Sequence, residues 1–271
     1  YNFGGLTINA GKTLIENTPA NINVAGDWNN LGGTYNSNSK KVTLNGTAVQ
    51  NISAETFYDI EINKPSNTAI LGGVVNVTHA LTMTSGNFIT TAANLLIVTS
   101  GSTSTSGSAL SFVDGPMKKV GSDAFVFPVG DGTTWARIAM SAPSGPADAF
   151  TAQYFYAPFG DYTVTQVPNP ITNVSTIEYW NLDRTAGASN VTVKLYWENA
   201  TTSGIAKCSD LRIAHWNGSA WENNNDAVTT TSAGCPNPVA ESGDIVTNAV
   251  VTSFSPFTFG GNGWTNPLPV E

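Results

Sequence analysis

The chain has 271 residues, 41% of them hydrophobic, enough to bury the core of one large or two ordinary domains, and two are expected. Eleven Lys plus Arg stand against 19 Asp plus Glu, a net charge of -8, so a phosphate backbone is repelled and nucleic-acid binding is excluded. No apolar stretch approaches the roughly 18 residues of a membrane span, so no transmembrane segment is expected, and residues 1 to 20 lack both the basic start and the apolar core of an export signal, which would lie upstream of Tyr1.

Charged side chains make up only 11% of the chain. Thr, Ser, Asn and Gly fill the polar positions instead. Short runs of Val, Ile, Leu and aromatic residues punctuated by turn residues predict an all-β protein with almost no helix. Over residues 1–110 the strand cores are Leu6–Asn9, Ile22–Ala25, Val42–Asn45, Ile60–Asn63, Val75–Thr78, Leu81–Thr84 and Leu95–Val98, mostly alternating apolar and polar. Their starts are separated by 16, 20, 18, 15, 6 and 14 positions. Such a degenerate repeat suits a parallel β-helix or related solenoid. An antiparallel meander remains the alternative, because the 6-residue step between Val75 and Leu81 breaks a strict period. Gly11, Gly26, Gly46 and Gly86 are expected at positive-φ corners, and Asn9, Asn45 and Asn63 at equivalent places allow an amide ladder between coils or plain turn asparagines.

The stretch Thr99–Ser108 reads as a flexible connection. Beyond it, over residues 111–263, longer aromatic strands predict an antiparallel β-sandwich: 124–127, 137–140, 150–156, 177–180, 191–197, 211–216 and 245–251. Asn217-Gly218 between Trp216 and Trp221 marks a hairpin. Lys118 and Lys119 are expected to be solvated.

Little in the chain points to catalysis, and no catalytic, cofactor-binding or metal-binding residue is assigned. The two histidines, His79 and His215, lack a nucleophile elbow, so a hydrolytic triad is not expected. Asp59 and Glu61 share one face of a strand and fit an acid–base or calcium role, but a solvated face explains them better. Asp27, Asp114, Asp123, Asp131, Asp148 and Asp161 read as turn formers, and Gly130-Asp131-Gly132 is too poor in oxygens for a calcium loop. Thr82/Thr84 has no counterpart at Ile22/Val24 or Ile60/Ile62, which argues against an ice-binding ladder. Among seven tryptophans, Trp180, Trp197, Trp216 and Trp221 are the candidates for stacking on a sugar ring, with core packing as the default for Tyr179/Trp180 and Tyr196/Trp197.

Several stretches carry a family likeness: Phe112–Gly130, Tyr179–Arg184 with Leu211–Gly218, and the proline-broken ending Trp264–Glu271 after Ser253–Gly261. Together they resemble Bacteroidota cell-surface and secreted proteins carried by the type IX secretion system. That resemblance implies an extracellular or outer-surface location and residues 264–271 as a linker towards a C-terminal sorting domain. It implies no catalytic residues. In an exported chain Cys208 and Cys235 are expected to form a disulfide, with two free thiols as the alternative; two cysteines without clustered histidines exclude a structural zinc site. The function expected is a non-enzymatic stalk, adhesin or assembly segment; a carbohydrate-binding or polysaccharide-degrading module is the alternative. The repeat starts without a polar cap at Tyr1–Ile8, so further coils or another protein are expected against that end, and surface glycans are the other candidate partner.

Overall fold

The computed structural model describes residues 1–16, 21–165, 171–206, 211–223 and 241–261, all in strands, turns and loops, with no helix among them. Cys208, Cys235, Trp264 and the ending Asn266–Glu271 lie outside the described residues.

The first part is a parallel β-solenoid of about 5 turns. Each coil presents three strand segments. On the first face Ile22 pairs with Val42, Val42 with Ile60 and Ile60 with Leu81, steps of 20, 18 and 21 residues. Val24, Leu44, Ile62 and Met83 stack in the same register, and all eight side chains are buried. Each contributes roughly 1.5–3 kcal/mol by leaving water, so the stack is self-reinforcing from coil to coil. A second face runs Leu6–Asn9, Trp28–Leu31, Gln50–Ile52, Ala69–Leu71, Phe88–Ile89, Val113–Asp114 and Val129–Asp131. A third begins at Thr13–Ile15 and Thr34–Asn36 and later includes Leu96–Val98 and Met117–Val120.

The 6-residue step that breaks the sequence period has a structural cause. Val75–Ser85 is one long strand that serves two faces, bending between Val77 and Ala80 where its register against Glu55–Asn63 shifts. Val75 and Leu81 therefore belong to different faces of the same coil. The same reasoning separates Asn9 from Asn45 and Asn63: Asn9 ends a second-face strand, whereas Asn45 and Asn63 flank the first face. The amide contact that does link coils joins Asn23 Nδ2 to Asn2 Oδ1 at 2.8 Å.

Glycine has two separate uses here. Gly11 and Gly86 take positive φ as expected. Gly26 and Gly46 do not; they are needed because coils touch, a Cβ at Gly46 falling 1.8 Å from Ala25 O and one at Gly26 falling 2.0 Å from Gly4 O.

Pairing changes direction at Met117–Val120, which lies parallel to Leu96–Val98 on one side and antiparallel to Ala149–Phe155 on the other. The parallel stacking thus runs past residue 110, and Thr99–Ser108 is folded into the coil: Thr103–Ser104 pairs with Ala80–Leu81, and Ser108 and Ser111 exchange backbone hydrogen bonds. From Ala149–Phe155 the same sheet continues through Tyr179–Ala186, Phe257–Gly261, Leu211–Trp216 and Trp221–Asn223, reaching 14 strands. A four-stranded antiparallel sheet of Phe125–Phe127, Ile138–Met140, Val193–Trp197 and Gly243–Val246 completes the β-sandwich. One apolar cluster joins both parts, from Leu6 and Ile8 to Trp180, Trp197 and Phe259. The Asn217-Gly218 hairpin is present, with Trp216 opposite Trp221 and Gly218 at φ 99°.

Candidate functional site

The aromatic candidates separate by burial. Trp180, Trp197 and Trp221 are 0%, 2% and 0% exposed, so none offers a ring face to a sugar. Trp180 packs edge-on to Phe259 and Trp221 against Phe159. Alternation puts their neighbours Tyr179 and Tyr196 outward instead. Tyr179 lies face to face with Phe155 at 4.6 Å and 9°, and Phe159 packs edge-on to it at 5.4 Å. Trp216 alone of the four candidates is half-buried, and Phe159 and Trp221 tilt against it.

The polar candidates are engaged with one another. Asp59 accepts or shares a proton with His79 Nδ1 at 2.7 Å, and His79 stacks on Tyr58 at 4.5 Å. Burial tends to raise Glu61, but Lys41 at 2.5 Å and the Thr84 hydroxyl outweigh it and hold the carboxyl below its usual range. The pair does share a face, yet each acid is tied to a side chain of a neighbouring coil, Asp59 to His79 and Glu61 to Lys41. His215 is fully buried, and desolvation holds its imidazole below the usual range against the pull of Glu222, 3.5 Å away. No group of three or more His, Cys, Asp or Glu that could hold a metal occurs among the described residues. Lys119, expected in solvent, is 0% exposed, its ammonium donating to Thr99 O, Ser102 O and Asp123 at 2.8, 2.8 and 3.0 Å.

A cleft of about 480 Å³ opens where the last coils meet the sandwich. Its walls include Trp135, Glu178, Glu198, Asn199, Thr202 and Ser203, with Ala109 supplied by the folded Ser-Thr-rich loop. Glu178 stands at the entry to the strand Tyr179–Ala186, where the Ser175 hydroxyl accepts the backbone N–H groups of Ile177 and Glu178 and the Thr258 hydroxyl donates to Glu178 O. Tyr154, the register neighbour of Trp180, donates its hydroxyl to Glu178 Oε2 at 2.6 Å. Glu178 Oε1 is buried and has no hydrogen-bond partner. Burial pushes this carboxyl up to about 7; the hydroxyls of Tyr154 and Ser203 oppose the rise and the charge of Glu198 adds to it.

Glu198 has a different setting. Arg137 grips it with two hydrogen bonds, Nε to Oε1 at 2.5 Å and Nη2 to Oε2 at 2.9 Å. The guanidinium is itself layered between Trp135 at 4.6 Å and Tyr196 at 4.3 Å. The bidentate pair balances charge, and the two ring contacts restrict the guanidinium further. Gly107, at a φ of +72°, sits behind Trp135 and leaves no room for a side chain, since a Cβ there would fall 3.1 Å from the indole nitrogen. The turn carrying Asn199, Thr202 and Ser203 is closed by Thr202 N to Asn199 Oδ1 at 2.9 Å and Ser203 N to Asn199 O at 3.0 Å.

Compared with protein-family models, curated proteins and solved structures, the chain matches none.

Sequence reasoning missed Glu178, whose signal depended on which of Tyr179 and Trp180 faces inward. In Ile177-Glu178-Tyr179-Trp180 the acid and Trp180 are two apart, so a buried Trp180 carries Glu178 inward with it. An acid on the core face of an aromatic strand is costly unless something uses it.

Proposed function

We propose that this chain is a non-enzymatic extracellular scaffold, a stiff stalk or assembly segment exported by the type IX route. The observation that carries the reading is the unbroken 14-stranded sheet over one shared apolar cluster. A protein built as separate modules bends where its linker bends; a sheet continuous from coil to sandwich transmits load without such a point. The low charge content and the extensive hydroxyl and amide surface fit a display role outside the cell.

The first coil supports assembly at that end. Asn2–Phe3, Leu6–Asn9 and Thr13–Ile15 each pair only with the second coil in the described chain. A cleft of about 390 Å³ beside them is lined by Phe3, Leu6, Ile8 and Leu14. In this reading another β-coil segment adds its strands to those edges and covers the apolar floor.

Two measurements test the proposal. Antibody labelling of intact producing cells should detect the protein without permeabilisation; labelling only after lysis would exclude the extracellular role. Small-angle scattering should give one rigid elongated particle, and a profile that requires two independently moving bodies rules out the stiff-stalk reading.

A further inference from the structure

Beyond the scaffold role, and without resting on it, we propose that the cleft between the last coils and the sandwich binds a neutral saccharide unit, with Glu178 as the buried residue that hydrogen-bonds a ligand hydroxyl. Its volume of about 480 Å³ falls within the roughly 300–1,000 Å³ of small-molecule sites. The decisive group is Glu178 Oε1, buried in the cleft wall without a well-formed hydrogen bond, beside the Ser203 hydroxyl that lines the same cleft. Leaving a carboxyl oxygen in this state is unfavourable for the free protein, so a ligand that satisfies it recovers that cost on binding.

The chemistry of the walls selects the ligand class. An apolar molecule would leave Oε1 unpaired. A free anion finds no basic side chain in the cleft lining and meets a chain of net charge -8. The Glu198 carboxylate is already neutralised by the bidentate grip of Arg137, so it offers no unmatched charge to a cation. A hydroxyl group both donates and accepts, and so it suits Glu178 in either protonation state, which a carboxyl near 7 requires. Asn199, Thr202 and Ser203 add further polar positions on one turn, and the Trp135 ring supplies an apolar edge to the same cleft. The Trp135–Arg137–Tyr196 stack holds this geometry before the ligand arrives, which limits the ordering cost of binding.

The test is an array of neutral hexose, pentose and N-acetylhexosamine oligosaccharides probed with the full chain, followed by calorimetric titration of the strongest binder. Wild-type protein is expected to bind, and Glu178→Leu to weaken binding at least about tenfold while keeping a cooperative melting transition, because removing a buried acid offsets the stranding of the Tyr154 hydroxyl. Thr202→Val is a second cleft variant that keeps the test open if Glu178→Leu fails to fold; it should weaken binding with an unchanged melting temperature. Trp216→Ala, on the outer face of the sandwich, should bind as wild type does. Binding should persist at pH 5 and pH 8, whereas loss at pH 5 would indicate a cationic ligand and overturn the proposal. No binder on the array, equal affinity in the cleft variants, or loss confined to Trp216→Ala would each overturn it as well.

Discussion

The solenoid and the sandwich both bury ionisable side chains, but the buried lysines of the coils and Glu178 of the sandwich are completed differently. In the coils Lys64 is 1% exposed and donates to Gly46 O, Ala48 O and Gln50 Oε1 at 2.8, 2.9 and 2.6 Å, and Lys119 serves the loop one coil back in the same way. Burial lowers the Lys64 amine to about 8, yet every acceptor around it is an oxygen that needs a donor. These lysines are part of how stacked loops satisfy their carbonyls. In the sandwich Glu178 has one well-formed hydrogen bond, from Tyr154, and an Oε1 that has none, with the Ser203 hydroxyl nearby. A buried group that completes its neighbours reads as architecture; one left incomplete beside a cleft reads as a site.

The two regions nevertheless share one core, and the largest predicted effect tests that. Trp180→Ala removes a fully buried indole that touches Tyr154 and Phe259 and donates Nε1 to Ala136 O at 3.0 Å. The expected loss is roughly 3–5 kcal/mol, read as a lower denaturant midpoint. Because the cluster is continuous, the coils should unfold in the same transition. A variant whose coils retain their own later transition, followed by circular dichroism and tryptophan fluorescence together, would show that the regions are energetically separate.

Glu178 gives the next effect. Its carboxyl titrates near 7 in the folded chain against 4.5 for the ordinary group. Between those values the folded state holds a proton that the unfolded state has released, so stability falls as pH rises from about 4.5 to 7 and is flat beyond. The span corresponds to on the order of 3 kcal/mol. Glu178→Gln carries no titrating group and should lose this slope, gaining on wild type at pH 8 relative to pH 5 in thermal melts. Parallel curves for the two proteins at both pH values would place the proton elsewhere.

How much of this was legible follows from what alternation can and cannot report. Ile22, Val42 and Ile60 revealed a repeat because each sits inward at the same point of successive coils. The coil's true step was hidden by Val75–Ser85, where two faces run through one strand without a turn residue between them. Thr99–Ser108 looked like a linker because composition records hydroxyls, and composition does not record that the Ser111 hydroxyl donates to Gly86 O or that Lys119 collects the Thr99 and Ser102 carbonyls. In the sandwich the strands and the Trp216–Trp221 hairpin were readable. Which member of Tyr179/Trp180 faces inward was not, since both are aromatic, and the cleft depends on that choice.

Lys64→Met tests the architectural half of the comparison. Methionine keeps the length and apolar stem but withdraws the donor from Gly46 O, Ala48 O and Gln50 Oε1. With about 1–3 kcal/mol at stake for a stranded buried group, a loss of about 2 kcal/mol is expected in chemical denaturation. Lys118→Met, at the half-buried neighbour of Lys119, should stay within about 0.5 kcal/mol. Equal small effects would mean that the Lys64 contacts contribute nothing beyond packing.

The smallest effect belongs to a fully wet version of the same chemistry. Asn217 Oδ1 accepts the backbone N–H groups of Ser219 and Ala220 and the Ser219 hydroxyl, each at 3.0 Å, and its amide donates to Glu222 Oε2 at 3.0 Å. That is more contacts than Glu178 makes, yet Asn217→Ala should cost only about 1 kcal/mol, because residues 217–219 are exposed and water can replace the lost acceptor. The measurable change should be local: faster amide exchange at Ser219 and Ala220, with the Trp216–Trp221 pairing and the midpoint of global unfolding nearly unchanged. A loss as large as that of Lys64→Met would mean that the number of hydrogen bonds, and not their shielding from water, sets what a polar side chain is worth in this protein.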